Sequence, residues 1–375
     1  MYGTKQAAAN WYNMLKEGLK KQGFSQSKID PCLSLKQDTI IVIYVDDCLI
    51  FGKEQMIISE LINSLRKDFK LTDEGPDVNA FLGIKVDKDS KAGTLTMTQP
   101  ALINRILKEL SLDEGNVKMH DTPANIILIK SDQDAGREQE WNYRSVIGML
   151  MFLASSTRPD ILFAVHQCAK FNSCPRKSHE MAVKRIGRYL RRTKDKGIIL
   201  KPDGTNALNC YVDADFAGTF SHEIAHEKAS VLSRTGYTIT FSSCPILCVS
   251  KMQTEIALST TEAEYIALSQ SMRDLIPLRE ILTETANILK LRIDKPVAHS
   301  TVFEDNNGAL ELAKEPKYRP RTKHIAIKYH HFRDHVKNKS IRIQAINTKE
   351  QLADIFTKPL EKANFEYLRL KLMGW

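Results

Sequence analysis

Two adjacent carboxylates stand between two strongly β-forming runs near the start of the chain. Asp46 and Asp47 follow Ile40–Val45 and precede Cys48–Phe51, where a hairpin between buried strands is expected to turn. Adjacent carboxylates repel each other, and a divalent cation beside them relieves that repulsion. The pair therefore predicts a metal site at the tip of a hairpin. An ordinary turn, where Asp is common, is the alternative.

Four further acidic residues lie at the edges of predicted elements in the last third of the chain. They are Asp213, Glu264, Asp305 and Asp354. A cluster of carboxylates can hold two Mg²⁺ ions, of which one activates water and the other stabilises the leaving 3′ oxygen of a phosphodiester. Asp215 shares a strand face with Asp213 because side chains alternate with a period of two, so the pattern alone does not separate these two residues.

Capping patterns help to choose among neighbouring acids. Ser259 and Glu262 have the spacing of a capping box, which gives Glu262 a structural role and leaves Glu264 for a metal ion. A second box at Thr348–Gln351 predicts that Asp354 lies inside the following helix, near its positive end. Stabilisation by the helix dipole is therefore an alternative explanation for Asp354.

Hydrophobic periodicity predicts the elements that position these residues. A helix at Glu54–Phe69 is expected to pack on the hairpin, strands at Phe81–Val86 and Thr94–Thr98 follow, and Val146–Phe152 and Ile161–Phe171 supply apolar helix faces. The last third reads in order as strands Leu208–Asp213, Gly236–Phe241 and Ile246–Val249, helix Thr260–Leu282, strand Val297–Glu304, helices Asn307–Ala313 and Ile325–Lys337, strand Ile341–Ile346 and helix Lys349–Thr357. Three strands before the first helix predict an antiparallel meander extended by α/β crossovers, which together make a mixed sheet.

Basic residues fall on one side of a further predicted helix. They are Lys184, Arg185, Arg188, Arg191 and Arg192. A solvated helix face is the ordinary interpretation of such a stripe, and a track for phosphate groups is the functional one. The net charge of +9 over 375 residues favours a polyanionic partner. A membrane is not predicted, because no apolar run approaches the length of a spanning helix and no lipidation signal is visible.

Cysteine and histidine usage does not predict a zinc site. The seven cysteines are scattered and odd in number, which is typical of reduced core residues in an intracellular protein. His324, His330, His331 and His335 lack the cysteine or acidic ligands that would complete a tetrahedral set.

Several blocks of the sequence resemble the Pol polyprotein of the Ty1/copia family of LTR retrotransposons. The matching blocks are Tyr2–Ala7 with Trp11-Tyr12, Tyr44-Val45-Asp46-Asp47, Phe81-Leu82-Gly83-Ile84, Tyr143–Gly148, Thr157–Ile161, Asp213-Ala214-Asp215, Glu262–Tyr265, Asp305-Asn306, Arg321–Ile325 and Gln351–Lys358. They follow the order of the family and cover essentially the whole chain. Ala8, Ala9, Arg319 and Ala326 depart from the family pattern, which indicates a divergent or decaying element.

The resemblance implies an α+β chain of three parts. They are a partial reverse-transcriptase palm at residues 1–110, a helical thumb or connection at 111–205, and an α/β ribonuclease H-like domain with a mixed five-stranded sheet at 206–375. It assigns Asp213, Glu264, Asp305 and Asp354 as catalytic ligands of two Mg²⁺ or Mn²⁺ ions, and Asp46 and Asp47 as metal ligands of a polymerase centre. The expected activity is Mg²⁺-dependent hydrolysis of the RNA strand of RNA/DNA hybrids. A third palm carboxylate is expected before Met1, so DNA polymerisation is expected only with additional upstream sequence.

The same resemblance implies nucleic acid as the partner. Lys5, Gln6, Arg321 and Lys323 are expected to contact it, and His324 is a candidate proton shuttle for the leaving group. RNA/DNA hybrid, duplex nucleic acid and the remaining Pol polyprotein, with its integrase and upstream reverse transcriptase, are the expected partners. The expected location is intracellular: cytoplasmic, within a virus-like particle, and also nuclear. The alternatives are a catalytically silent relic that only binds duplexes and a structural remnant held to a fuller polymerase subunit.

Overall fold

The computed structural model of the 375-residue chain describes residues 4–129, 134–138, 140–218, 220, 230–290, 300–314 and 327–375. The chain divides into two compact units. The first comprises Met1–Val78 with Asp274–Ala298, and the second comprises Asn79–Arg273 with His299–Trp375. None of the described helices combines the length and the apolar character needed to cross a bilayer.

A four-stranded antiparallel sheet forms the centre of the first unit. Its strands, in spatial order, are β1 (Ser25–Gln26), β2 (Leu33–Lys36), β3 (Thr39–Tyr44) and β4 (Asp47–Gly52). The predicted hairpin is confirmed, because β3 pairs with β4 up to Tyr44 opposite Asp47. Val45 and Asp46 are therefore the two residues of the turn.

Helices cover both faces of this sheet. They are α1 (Lys5–Lys21), α2 (Gln55–Leu65) and the last part of α7 (Thr260–Leu289). Ile41 and Ile43 of β3 pack in the cluster formed with α1 and α2, whereas Ile40 packs in the cluster that includes Ile281 and Ile288 of α7. Alternate residues of one strand thus bury opposite faces, as the period of two requires. Helix α2 ends at Leu65, earlier than the predicted Phe69.

A helical layer and a small antiparallel sheet begin the second unit. The strands, in spatial order, are β5 (Ala80–Phe81), β6 (Ile84–Asp89), β7 (Thr94–Thr98) and β8 (Ile198–Leu200), and the helices are α3 (Pro100–Glu109), α4 (Tyr143–Ser156), α5 (Leu162–Ala169) and α6 (Lys177–Arg192). Ile106, Leu150, Val165 and Ile186 are fully buried among these helices. The predicted helical faces are confirmed, while the three-part division at residues 110 and 205 stays a prediction.

A buried ion pair fixes the connection between α4 and α5. The Arg158 guanidinium donates two hydrogen bonds of 2.9 and 2.8 Å to the Asp160 carboxylate, and both side chains are fully buried. The Tyr189 hydroxyl of α6 donates to the same carboxylate at 2.5 Å. Because the buried Arg158 charge is paired and hydrogen-bonded, the sequence block Thr157–Ile161 has a structural role.

The mixed five-stranded sheet of the second unit has the predicted topology. Its spatial order is β11 (Cys244–Met252), β10 (Arg234–Phe241), β9 (Leu208–Asp215), β12 (Ser300–Glu304) and β13 (Ile341–Ala345). The first three strands pair antiparallel, and β12 joins β9 and β13 in parallel. The helices of this part are α7, α8 (Asn307–Lys314), α9 (Arg333–Lys337) and α10 (Lys362–Met373).

The chain after β13 differs from the predicted helix at Lys349–Thr357. It forms two 3₁₀ turns, Thr348–Glu350 and Leu352–Phe356, separated by Gln351. The Asn347 side chain caps the first turn, and the extended backbone of Gln351, with ψ of 100°, prevents the two turns from joining. The prediction of one continuous helix was therefore wrong, although Asp354 does lie in the first turn of the second 3₁₀ element. The described part of the helix predicted at Ile325–Lys337 is likewise a 3₁₀ turn, Ile327–His330, followed by the short α9.

Candidate metal centre

Three of the four predicted acids of the last third converge in the second unit. Asp213 lies in β9, Glu264 in α7 and Asp305 directly after β12, and each offers an oxygen within 4.8 Å of the others. Asp213 and Glu264 are buried, with 3% and 7% of their surface exposed. Asp305 is half-buried. Asp213, Glu264 and Asp305 are called the acidic cluster below.

A glutamine between two parallel strands sets the spacing of Asp213 and Asp305. The paired residues of β9 and β12 end with Tyr211 opposite Phe303. Beyond that pair the buried Gln351 amide donates to the Val212 carbonyl oxygen at 2.8 Å and approaches the Phe303 carbonyl oxygen at 3.4 Å. The amide satisfies backbone acceptors that would otherwise be unpaired in the interior. Gln351 thus bridges the two strands just before their acidic residues.

The starts of two helices hold Glu264 and Asp305 near each other. The Ser259 hydroxyl accepts from the Glu262 backbone N–H at 3.1 Å, and the Glu262 carboxylate accepts from the Leu258 N–H at 2.7 Å. The predicted structural role of Glu262 is confirmed. At α8, a Cβ added to Gly308 would lie 2.7 Å from the Thr261 Oγ1, so the absence of a side chain allows α8 to approach the start of α7.

The 3₁₀ turn Leu352–Phe356 brings a fourth carboxylate beside Asp213. Gly236 of β10 lies opposite Asp213 in the sheet, and a Cβ there would meet Thr357 Cγ2 at 2.6 Å. The turn can therefore pack directly on the strand. Thr357 then donates a hydrogen bond to Asp213, and the Lys358 Nζ lies 2.9 Å from Asp354 Oδ1 and 3.8 Å from Asp213 Oδ2.

Burial of like charges shifts the ionisation of these groups. Burial raises the pKa of Asp213, while Lys358 and Thr357 oppose that rise. The pKa of Glu264 is raised well above its usual value by burial and then by Glu304 and Asp213. Burial and the Asp213 carboxylate raise the pKa of Asp354 to about 7. Carboxyl groups whose ionisation is disfavoured without a nearby cation are therefore concentrated near the carboxyl ends of β9 and β12.

The donor set suits a hard divalent cation. Every candidate ligand is a carboxylate, which is the ligand type that Mg²⁺ and Mn²⁺ prefer. Glu264 Oε2 and Glu304 Oε2 are buried and have no hydrogen-bond partner. A buried carboxyl group is stable in its charged form only beside a compensating positive charge, so a bound divalent cation would stabilise the ionised form of these groups. Among the described residues, the acidic cluster is the only set of three potential metal ligands.

Sequence reasoning left the choice between Asp213 and Asp215 open, and the geometry separates them. Asp215 is half-buried, and its oxygens are not part of the acidic cluster. Burial and then Asp213 raise the pKa of Asp215, against the attraction of Lys358 and Arg234.

Glu304, Gln351 and Lys358 were not predicted as parts of the site. Glu304 is fully buried, and its Oε1 accepts from the Asn306 N–H at 3.0 Å. Its position directly before Asp305 in the sequence could have identified it as a residue near the site. Gln351 and Lys358 lie in the same sequence block as Asp354, but their roles depend on contacts with strands that are distant in sequence.

The other predicted metal ligands, Asp46 and Asp47, are exposed at the tip of the β3–β4 hairpin. The Trp11 Nε1–H donates to the Val45 carbonyl oxygen at 3.1 Å, which holds the turn on α1. Val45 has a φ of 53°, a strained conformation for a β-branched residue. Within the described part of the chain, no third acidic, histidine or cysteine ligand joins this pair.

The basic stripe on α6 makes contacts with the segment that precedes α4. The Arg185 guanidinium donates to Thr122 at 2.9 Å, Arg191 donates to the carbonyl oxygens of Glu114 and Gly115, and Arg192 pairs with Asp121. Lys184 lies 3.8 Å from Glu180, and Arg188 is half-buried. These contacts favour a structural role, while phosphate binding by the stripe stays a prediction.

The remaining predicted contact residues are placed only in part. Lys5 begins α1, and Gln6 is exposed on that helix. Arg321, Lys323 and His324 lie outside the described residues. The His330 Nδ1 is 2.6 Å from the Tyr265 hydroxyl, and His331 and His335 lie near Ser269 and Ser340.

Comparison with known proteins relates the whole chain to retrotransposons. Residues 1–124 match the reverse transcriptase (RNA-dependent DNA polymerase) family. The chain is 36% identical to the retrovirus-related Pol polyprotein from transposon TNT 1-94 of Nicotiana tabacum, over 100% of this chain and 28% of that protein. It is 32% identical to the corresponding polyprotein from transposon RE1 of Arabidopsis thaliana, over 99% of this chain and 24% of that protein. The chain thus spans about a quarter of the length of these relatives.

A solved ribonuclease H1, isolated from compost by a metagenomic approach, aligns with 40% of this chain and 93% of its own at 16% identity and a TM-score of 0.25. A TM-score of 0.25 does not support any inference about this chain.

Proposed function

Because the chain belongs to the Ty1/copia family of retrotransposon Pol sequences, we propose that its second unit hydrolyses the RNA strand of RNA/DNA hybrids at the acidic cluster. The observation that carries this proposal is the convergence of Asp213, Glu264 and Asp305 within 4.8 Å. Such an arrangement supports phosphodiester hydrolysis in particular, because that reaction needs charge stabilisation on both the attacking and the leaving oxygen.

Asp213, Glu264, Asp305 and Asp354 would hold the cations. Mg²⁺ or Mn²⁺ bound there would activate water and stabilise the leaving 3′ oxygen. The chain's own contribution is to orient the ligands before substrate arrives. The Thr357 hydroxyl donates to Asp213 Oδ2, and the Thr348 hydroxyl donates to Asp305 Oδ2 at 2.9 Å, so two of the carboxylates are fixed by neighbouring hydroxyl groups.

Nucleic acid is the partner that the charge of the chain supports. A net charge of +9 favours binding to a phosphate backbone. The affinity should fall as the salt concentration rises, because the release of condensed counterions by the bound protein then becomes less favourable. The catalytically silent alternative, in which the chain only binds duplexes, shares this property. Hydrolysis, rather than binding, therefore distinguishes the two functions.

A second function is supported by the hairpin of the first unit. Asp46 and Asp47 are exposed at its tip, within the region that matches the reverse transcriptase family, and Tyr44–Asp47 resembles the metal-binding hairpin of reverse transcriptases. We propose that they supply two ligands of a DNA-polymerising centre that is completed by a further carboxylate. Replacing both with Asn should leave hydrolysis of a hybrid unchanged.

The test of hydrolysis uses an RNA/DNA hybrid with a different fluorophore on each strand. With Mg²⁺, the chain is expected to shorten the RNA strand and leave the DNA strand intact, and EDTA is expected to stop the reaction. Binding of the hybrid without any shortening of the RNA, in Mg²⁺ and in Mn²⁺, would instead support the silent alternative.

A further inference from the structure

A lysine ammonium group already lies between two of the candidate ligands. Lys358 Nζ is 2.9 Å from Asp354 Oδ1 and 3.8 Å from Asp213 Oδ2. Among the described ion pairs, Lys358 is the only basic side chain that contacts Asp213, Glu264, Glu304, Asp305 or Asp354. In the described part of the chain, one ammonium group therefore lies against two of these five carboxyl groups.

The position of Lys358 divides the carboxylates into two groups that share Asp213. On one side, Asp213 converges with Glu264 and Asp305, and no ammonium group lies within 4 Å of the latter two in the described residues. On the other side, Asp213 and Asp354 both contact Lys358 Nζ. Asp354 does not belong to the three-ligand group. A divalent ion bound by Asp213 and Asp354 together would need the space that the ammonium group fills.

The backbone of Lys358 is held firmly while its side chain is partly free. The preceding turn packs against Gly236, and Thr357 is anchored to Asp213. The Lys358 side chain nevertheless has 37% of its surface exposed. A long lysine side chain of this kind can move its charge into solvent by rotating about its four-carbon stem.

We propose that Lys358 is a built-in counter-cation that occupies the position of one divalent ion until that ion displaces it. This proposal rests on the proposed function, since it takes the acidic cluster to be a metal centre. The two ions then bind unequally. One binds to Asp213, Glu264 and Asp305 without competition, and the other binds to Asp213 and Asp354 only when Lys358 swings away. Lys358 is thus a positioning residue that sets the concentration of metal ion at which the centre becomes complete.

Calorimetric titration with Mg²⁺, without nucleic acid, tests the proposal on the full chain. Lys358→Gln removes the competing charge, so the weaker of two binding steps should tighten by roughly three- to fivefold, the upper part of the range expected for a partly exposed ion pair. The tighter step should not change. Lys358→Arg retains the charge and should keep the weaker step within about twofold of the unsubstituted chain.

A matched control is available in Lys362, which pairs with Asp121 at 3.0 Å and does not contact the carboxylates. Lys362→Gln should leave both steps unchanged. Thermal unfolding in EDTA supplies a second readout, because loss of the counter-cation should lower the unfolding temperature of Lys358→Gln more than that of Lys362→Gln. Added Mg²⁺ should remove this difference.

Asp213→Asn distinguishes a failure of the counter-cation proposal from a failure of the proposed metal centre. If Asp213→Asn loses Mg²⁺ binding but Lys358→Gln binds as the unsubstituted chain does, the counter-cation proposal is wrong and the metal centre stands. If Asp213→Asn binds Mg²⁺ normally, the acidic cluster is not the metal centre, and both proposals are wrong.

Discussion

At the residue scale, Asp354 shows how burial and charge are coupled in this site. Burial and the Asp213 carboxylate raise its pKa to about 7, although Lys358 lies 2.9 Å away. An unfolded chain releases that proton near pH 4. The folded state therefore binds more protons than the unfolded state between about pH 4 and pH 7, and stability falls as the pH rises through that range.

This argument predicts a difference in pH dependence between the chain and its Asp354→Asn variant. Without metal ions, the variant should be more stable than the unsubstituted chain at pH 8, by on the order of 1–3 kcal/mol, and nearly equal to it at pH 4. Urea unfolding at both pH values in EDTA measures the difference. Parallel pH profiles for the two proteins would show that Asp354 ionises normally, whereas Mg²⁺ should abolish the difference at pH 8.

Sequence reasoning found Asp213, Glu264 and Asp305 because each stands at the edge of an element whose order was predictable. It did not separate Asp213 from Asp215, since both lie on one strand face. It also missed Lys358 and Gln351, whose partners on β9 and β12 are far away in sequence. Contacts of this kind depend on how a turn packs against the sheet, which local patterns do not report.

At the element scale, the 3₁₀ turn Leu352–Phe356 positions Asp354, a role that the sequence had assigned to a helix. The capping pattern at Thr348–Gln351 favours a helix, but Gln351 instead bonds to Val212 across the sheet. Its tertiary hydrogen bond thereby overrides the local preference. The turn then carries Asp354 and, through Thr357 and Lys358, the contacts to Asp213.

Gly236 is the position on which this packing depends. Gly236→Ala would place a Cβ 2.6 Å from Thr357 Cγ2 and 2.9 Å from Phe356 Cβ, so the turn must shift. We expect a loss of about 1–3 kcal/mol in stability and weaker Mg²⁺ binding, because Asp354 moves with the turn. Urea unfolding and calorimetry measure the two effects.

The control for that substitution is Gly148→Ala in α4, where a new Cβ meets no atom within 4 Å. Its stability should be unchanged or higher by about 1 kcal/mol, since Ala is the better helix former. Equal behaviour of the two variants would contradict the close packing proposed at Gly236.

At the scale of the whole molecule, the two compact units carry different acidic groups. The first unit presents Asp46 and Asp47 at an exposed hairpin tip, and the second unit holds the largely buried acidic cluster near the carboxyl ends of β9 and β12. The topology of that sheet was predictable because strands and helices alternate clearly in the last third. The grouping of β5, β6 and β7 with the second unit was not, because β8, the strand that pairs with β7, comes about 100 residues later in the sequence.

The central claim is that hydrolysis takes place at the acidic cluster, and a matched pair of variants tests it most directly. Asp213→Asn and Asp215→Asn make the same chemical change two positions apart on one strand, but only Asp213 belongs to the cluster. With Mg²⁺ and an RNA/DNA hybrid, we expect Asp213→Asn to lower the initial rate of RNA cleavage by roughly a thousandfold or more, and Asp215→Asn to keep most of it. Cleavage at the full rate by Asp213→Asn, or its loss in Asp215→Asn alone, would contradict the account.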